Sequence, residues 1–290
     1  MAMAKKQARS ISSRVAAWRI WFQAAFLVAW LDPLMVRLHT FCSPVFHCHS
    51  CPWATFACPI GVLANFSALH IFPFVAVGIL LIAGVSLGGF VCGWVCPFGF
   101  LQDLIGRIPT PKFHIPGWMR HIRFVVLLGL VLIVPYLWGE EHSLFFCRLC
   151  PAGALEAAVP NTVQSAMAGQ EVVWPTLAKS SILAVVLLAM LFTWRPWCTA
   201  LCPLGAIFSL CNLFSFVFIR VNKESCTDCN LCRRLCRYGG GPREIGGDMQ
   251  CIRCLDCTKC KSVTISSVLS RQRTANAPGE LVTIGETHGE

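Results

Sequence analysis

Charge is what this sequence has least of. Only 13% of its 290 residues are Asp, Glu, Lys or Arg, and the acids are outnumbered 14 to 24. Soluble domains carry about 25% charged residues. With 56% hydrophobic residues and a mean hydropathy of +0.63, this chain falls outside that class. Whole catalytic vocabularies are missing as well. No residue set has the form of a hydrolase triad, a nucleotide loop or a dinucleotide fingerprint. The Cys-x-x-Cys-His needed for c-type haem is absent, because Cys48-x-x-Cys51 runs into Pro52 and Cys147-x-x-Cys150 into Pro151. The net charge of +10 forms no stripe interleaved with aromatics, which excludes nucleic acid as a partner. No small-residue cleavage site follows the first apolar run, so the basic start (Lys5, Lys6, Arg9, Arg14) reads as an uncleaved anchor.

Cysteine, by contrast, is abundant: there are nineteen. Eight lie between Cys226 and Cys260, in two tight runs. The first is Cys226-x2-Cys229-x2-Cys232-x3-Cys236, and the second is Cys251-x2-Cys254-x2-Cys257-x2-Cys260. This is the spacing of a two-cluster ferredoxin, in which the last cysteine of each run crosses to the other cluster. One [4Fe–4S] cluster then takes Cys226, Cys229, Cys232 and Cys260, and the other takes Cys251, Cys254, Cys257 and Cys236. Arg237 and Lys261 stand where proline is usual, and the last gap is two residues instead of three. Four-cysteine zinc sites also use x2 spacing, but they generally separate two pairs by a long loop.

Four apolar stretches are near the length that crosses a bilayer core of roughly 30 Å: Ala16–Val36, Leu69–Val91, Ile122–Trp138 and Thr176–Trp194. Basic residues collect at the N-terminus, in the loop holding Arg107, Lys112, Arg120 and Arg123, and after the fourth span at Arg195, Arg220 and Lys223. Acids (Glu140, Glu141, Glu156, Glu171) collect after the third span. The positive-inside bias therefore puts both termini and the ferredoxin part in the cytoplasm, on a multi-pass protein of the cell inner (plasma) membrane. The expected division is a basic cytoplasmic N-terminus (1–15), a membrane domain (16–220), a ferredoxin-like domain (221–267) and a mobile polar tail (268–290). Leu204–Phe218 reads as a helix in the interface or tucked under the bundle. A fifth span there would move the ferredoxin outside, against its basic flank.

The membrane half carries an internal repeat, Cys-Pro-x-Gly, at Cys58, Cys96, Cys150 and Cys202. Further cysteines precede each: Cys48 and Cys51, Cys92, Cys147, and Cys198. Proline suits a first helical turn, and a cysteine before it sits at the positive end of the helix dipole, which favours a thiolate. Two candidate sites follow. One, at the inner membrane surface, uses Cys92, Cys96, Cys198 and Cys202. The other, at the outer surface, draws on Cys48, Cys51, Cys58, Cys147 and Cys150, with one cysteine spare. Free thiols compete with a metal on the inner side, and disulfides on the outer side. Cys42 and Cys211 read as packing residues. So do the histidines (His39, His47, His49, His70, His142), although His47 and His49 flank Cys48. Asp32, beside Pro33, is either functional or an interface marker. Arg233, Arg234 and Arg237 either raise a cluster's potential, dock an acidic partner or form a solvated basic face.

Cys92-Gly93-Trp94-Val95-Cys96-Pro97 and Cys198-Thr199-Ala200-Leu201-Cys202-Pro203, on four spans followed by a double cluster run, resemble the NapH/NosR-type membrane polyferredoxins. That group includes the quinol-dehydrogenase membrane subunit of periplasmic nitrate reductase. The outer motifs, Cys48 to Cys58 and Cys147 to Cys150, depart from its pattern and mark a NapH-like branch. The resemblance implies electron transfer between the quinone pool and a redox protein subunit, as part of a quinol-linked oxidoreductase. The expected fold is an all-α membrane protein of four transmembrane helices with an internal two-fold repeat, plus a small α+β two-cluster ferredoxin-like C-terminal domain. Two [4Fe–4S] clusters are expected, with room for one or two more at the membrane cysteines, and with membrane lipid and quinone as further partners. A metal-reducing or metal-handling assembly factor and a redox-sensing regulator are the competing classes.

Overall fold

The computed structural model describes residues 11–31, 42–48, 50–51, 54, 56–171, 174–222, 225–238 and 247–267. The basic segment 1–10, Asp32, Pro33, His39, His49, Lys223 and the tail 268–290 lie outside the described residues. The helices are α1 (Ile11–Trp30), α2 (Pro59–Ala68), α3 (Phe74–Leu87), α4 (Pro97–Ile105) and α5 (Gly117–Trp138). They continue with α6 (residues 151–167), α7 (Leu177–Phe192), α8 (Pro203–Cys211) and α9 (Leu231–Leu235). Two strands, β1 (Val217–Val221) and β2 (Val263–Ser267), pair antiparallel with Ile219 opposite Ile265, and they bracket both cysteine runs of the ferredoxin part.

Among the described residues one helix, α5, is long and apolar enough to cross a membrane. It is longer than its sequence suggested, because the chain enters it after Pro116 through a 3-10 turn at Gly117–His121. Helices α3 and α7 have 14 and 16 residues, short of the roughly 20 that a span needs. Gly88, at a φ of 55°, stops α3, and the Thr176 side chain caps the start of α7 by accepting the Lys179 N–H. The outward faces of these helices carry exposed large apolar residues such as Val75, Ile82, Val125, Leu128, Val185 and Leu188. A surface of this kind needs an apolar surround or a partner.

Besides the π stretches inside α5 (Val126–Ile133) and α6 (Ala154–Ala158), two short π turns stand just before helices, at Val91–Val95 and Trp197–Leu201. Each closes on an i to i+5 hydrogen bond: Cys96 N–H to Val91 O at 3.2 Å and Cys202 N–H to Trp197 O at 2.8 Å. Such turns are rare and concentrate at functional sites. Each leads directly into a proline-started helix, α4 or α8.

One hydrophobic core runs through the helical part. It contains Cys58, Cys92, Cys96, Cys150 and Cys202 together with Phe46, Phe98, Phe146 and Trp197. Leu204, Ala206 and Phe208 of α8 are buried as well, whereas Leu210, Leu213, Phe214 and Phe216 are exposed, so the segment packs under the bundle by one face and its start only.

Candidate functional site

All four Cys-Pro-x-Gly turns have one geometry. Cys58, Cys96, Cys150 and Cys202 are the N-caps of helices that start at proline. Their φ/ψ pairs are −70/124, −69/120, −68/120 and −71/117. The residue before proline is pushed into the extended region, and proline then fixes the first turn. The glycine three residues on points its N–H at the cap sulfur, at 3.5 Å from Gly153 to Cys150 and 3.4 Å from Gly205 to Cys202. Gly61 and Gly99 do the same for Cys58 and Cys96. A side chain is excluded at two of these glycines. A Cβ on Gly205 would lie 2.8 Å from Cys198 O, and one on Gly99 3.0 Å from Cys92 O.

The cysteines gather into sets. Every pair among Cys92, Cys96, Cys198 and Cys202 interacts electrostatically. Every pair among Cys48, Cys58, Cys147 and Cys150 does so too. Cys51 neighbours Cys48. In the ferredoxin part, Cys232 faces Cys226 and Cys260, whereas Cys257 faces Cys254, Cys251 and Cys236. Cys229 is exposed, its thiol lowered from the usual range by the Leu231 N–H and the Thr227 side chain. Cys211 packs on Gly84 and Cys42 is buried.

Both helical sets border one hydrophobic core, which includes Cys58, Cys92, Cys96, Cys150 and Cys202 and has Cys147 packed against it. Between them stand four rings, each within two residues of a set cysteine: Phe46, Phe98, Phe146 and Trp197. Their centroids lie 6.1 to 6.5 Å apart, and the Cys96 thiol points at Phe46 O at 3.9 Å.

Charge around the inner set was hidden in the sequence. Arg195, read there as a topological marker, is fully buried. It donates to Asp103 Oδ1 and Oδ2 (2.8 and 2.5 Å), to Cys92 O (2.6 Å) and to Gly93 O (3.3 Å). Asp103 also accepts from Arg19, from Gln23 at 3.0 Å and from the Tyr238 hydroxyl at 3.1 Å. Burial alone would raise the Asp103 carboxyl, but Arg195 and Arg19 outweigh it and hold it well below the usual carboxylate range. Gln102 of α4 ties that helix to the second π turn, donating to Cys198 Sγ at 2.9 Å and accepting the Trp197 N–H at 3.1 Å. Buried Arg123 acts on Cys92 and Cys202 and donates to Met249 O at 3.1 Å. A signal existed: Gln102-Asp103 and Arg195-Pro196 each lie within seven residues of a Cys-x3-Cys-Pro motif.

The second ferredoxin run docks onto the inner set. Arg253 donates to Leu87 O at 2.8 Å, and Trp94 Nε1 donates to Arg253 O at 3.0 Å. Asn212 joins Gly89 N–H (2.6 Å) to Cys251 O (2.8 Å). Gly89 and Gly93 are the contact points where this backbone approaches, and no Cβ fits between them and the carbonyls of Cys251 and Ile252.

At the other set, His47 is buried with Nδ1 3.0 Å from Glu156 Oε2, and that carboxylate also accepts the Cys48 N–H at 2.8 Å. A cavity of about 80 Å³ is bounded by Cys48, Cys58, Cys147 and Cys150, with Lys179 beside it. Among the described residues no three Cys, His, Asp or Glu side chains close on a point that would hold a single metal ion. Four mutually facing thiols, with N–H donors on their sulfurs, are the donor set that a [4Fe–4S] cluster takes. The residues fit that group.

A family described as "4Fe-4S binding domain" matches residues 68–116 and 177–220, the two segments that hold the inner cysteines. YccM of Escherichia coli, named provisionally as an electron transport protein, is 28% identical over 199 residues (63% of this chain, 52% of YccM). The methylamine utilization ferredoxin-type protein MauN of Methylobacillus flagellatus is 29% identical over 185 residues (61% and 59%). The regulatory protein NosR of Pseudomonas aeruginosa is 30% identical over 179 residues, 58% of this chain but 23% of NosR. The chain thus spans about half of YccM and a smaller share of NosR. No solved structure matches. By its paired Cys-x3-Cys-Pro segments, this chain is related to iron–sulfur proteins of the 4Fe-4S-binding, ferredoxin type.

Proposed function

We propose that the chain is a multi-span membrane electron-transfer subunit that links the quinone pool to a redox protein partner, with its ferredoxin part on the cytoplasmic side of the inner membrane. The single observation that carries this reading is the succession of cysteine sets. The ferredoxin runs touch the inner set through Arg253 and Trp94, and the inner set meets the outer set across four aromatic rings. A NapH-like, quinol-linked branch is part of the proposal; the paired Cys-x3-Cys-Pro motifs support the wider group, and the outer motifs, Cys48 to Cys58 and Cys147 to Cys150, support the separate branch.

A [4Fe–4S] cluster supplies a one-electron carrier when bound. The residues proposed to hold one are Cys226, Cys229, Cys232 and Cys260; Cys251, Cys254, Cys257 and Cys236; Cys92, Cys96, Cys198 and Cys202; and Cys48, Cys58, Cys147 and Cys150. The glycine N–H groups, Arg195 and Arg123 offset the negative charge of thiolates in a buried core. The ring layer keeps the space between the sets apolar, and Arg253 fixes the register of the ferredoxin part.

Iron and sulfide counts on anaerobically purified protein, with EPR, test the reading. About sixteen irons per chain is the expected result, and about eight confines iron to the ferredoxin part. Colourless, zinc-loaded protein overturns it. The likeness to NosR, a regulatory protein, favours a second reading, a redox sensor. That reading requires the activity of the membrane partner to change when ferredoxin cysteines are replaced.

A further inference from the structure

We propose that the cavity between α2, α3 and α5 is a binding site for a lipid-soluble quinone, with His70 and Tyr136 as the residues that hold the head-group oxygens. This deepens the electron-transfer reading and rests on it.

The cavity measures about 540 Å³, in the range of small-molecule sites and large enough for a quinone ring with the first part of its tail. Its walls are apolar except for three side chains, Ser67, His70 and Tyr136. Ser67 is already committed, its hydroxyl donating to Leu132 O at 2.8 Å. The other two face each other with ring centroids 4.3 Å apart, where the α2–α3 turn meets the end of α5. An imidazole and a phenol offer both donor and acceptor character, which suits quinone and quinol oxygens alike. An acyl chain has no use for either. His70 is held in place by its backbone: at a φ of 57° it closes α2, with its N–H on Ser67 O and the Ile71 N–H on Phe66 O.

Access and depth point the same way. The rim residues Ile71, Phe72 and Leu81 are 51 to 56% exposed and continue into the exposed apolar faces of Phe74 and Val75. A ligand therefore enters from an apolar phase and not from water. At the floor are Leu63 on α2 and Ile207 on α8. Each lies five residues beyond a cap cysteine, Cys58 and Cys202, which is about 7.5 Å along a helix axis. The floor of the cavity thus lies close to both cysteine sets, while His70, twelve residues beyond Cys58, stands about 18 Å along α2 from that cap cysteine.

The test uses the full chain, purified anaerobically in lipid nanodiscs, and a photoreactive azidoquinone with a short isoprenoid tail. Cross-links are expected within residues 63–81 or 127–136, competed away by decylubiquinone and not by added phospholipid. Tyr136→Phe and His70→Asn (Asn tolerates the positive φ) should each weaken azidoquinone binding about tenfold, the scale of one lost hydrogen bond. Leu81→Trp, at the exposed rim, should block labelling while iron content stays normal. Labelling elsewhere, displacement by phospholipid alone (an acyl-chain site only) or wild-type binding by all three variants would overturn the assignment. Bleaching of the visible absorbance by decylubiquinol separates the two levels of the argument. If quinol bleaches the chain but the label maps elsewhere, the site is wrong and the function stands. If the label maps here but quinol bleaches nothing and decylubiquinone does not restore the absorbance of dithionite-reduced chain, quinone binds but the electron-transfer reading fails.

Discussion

Replacing Gly93 by alanine adds one methyl group at the seam between the helical part and the ferredoxin part. The new Cβ would fall on the carbonyl oxygen of Ile252, a backbone atom that no rotamer change can move aside. Either the π turn at Val91–Val95 or the segment around Ile252 must shift by a large fraction of an ångström. The hydrogen bonds nearest to that contact are Trp94 to Arg253 O, Asn212 to Cys251 O, and Arg253 to Leu87 O. At about 1 kcal/mol for each neutral bond and 1.5–3 for the charged one, their loss costs roughly 3–5 kcal/mol of docking. Gly78 on α3 is the control, because nothing lies within 4 Å of a Cβ built there. Hydrogen exchange over residues 226–267 of the anaerobic protein reads the result. Gly93→Ala should lower protection across both cysteine runs by several hundredfold, with Gly78→Ala indistinguishable from wild type. Equal protection in both variants would refute the docked arrangement.

Two further perturbations follow from the same geometry. Arg195→Met leaves Asp103 buried with less compensation and Cys92 O without its donor, so a loss of about 3–5 kcal/mol in thermal or denaturant unfolding is expected. Adding Asp103→Asn should recover part of it, and strict additivity in that double-mutant cycle would show that the pair is not coupled. Cys58→Ser should remove about four irons per chain and Cys51→Ser none, since Cys58 faces the three other thiols of its set and Cys51 adjoins Cys48. Iron loss in both variants would mean that the set is misassigned.

The reach of the sequence depended on how local each interaction is. The ferredoxin runs and the Cys-Pro turns are short-range patterns, and the grouping of Cys236 with Cys257 and of Cys260 with Cys232 follows the crossed spacing. Which of five outer cysteines stands apart was not legible, because Cys48 and Cys51 share one loop and differ only in tertiary placement. The partners of Arg195 were not legible for a related reason. A bias count treats every arginine as solvated, and only the fold shows that this one is buried on Asp103, 92 residues away. The docking glycines carry no local signal either, since Gly93 and Ile252 are far apart in sequence.

The placement of both helical sets at one core follows from electrostatics as much as from packing. Four thiolates in a low-dielectric core are costly unless donors and cations meet them. At a lipid-facing surface neither is available. The helix starts provide N–H groups from Gly61, Gly99, Gly153 and Gly205, and the inner set adds Arg195 and Arg123. The outer set has Lys179 near Cys48 and Cys147, but also the carboxylate of Glu156 close to Cys48. Two arginines opposed by Asp103 on one side, against a lysine opposed by a glutamate on the other, leave one more cation at the inner set and stabilise its reduced, more negative state more strongly. Electrons between the sets should therefore rest on the inner one, beside the docked ferredoxin runs. A redox titration that found the outer set easier to reduce would break this link between charge placement and direction.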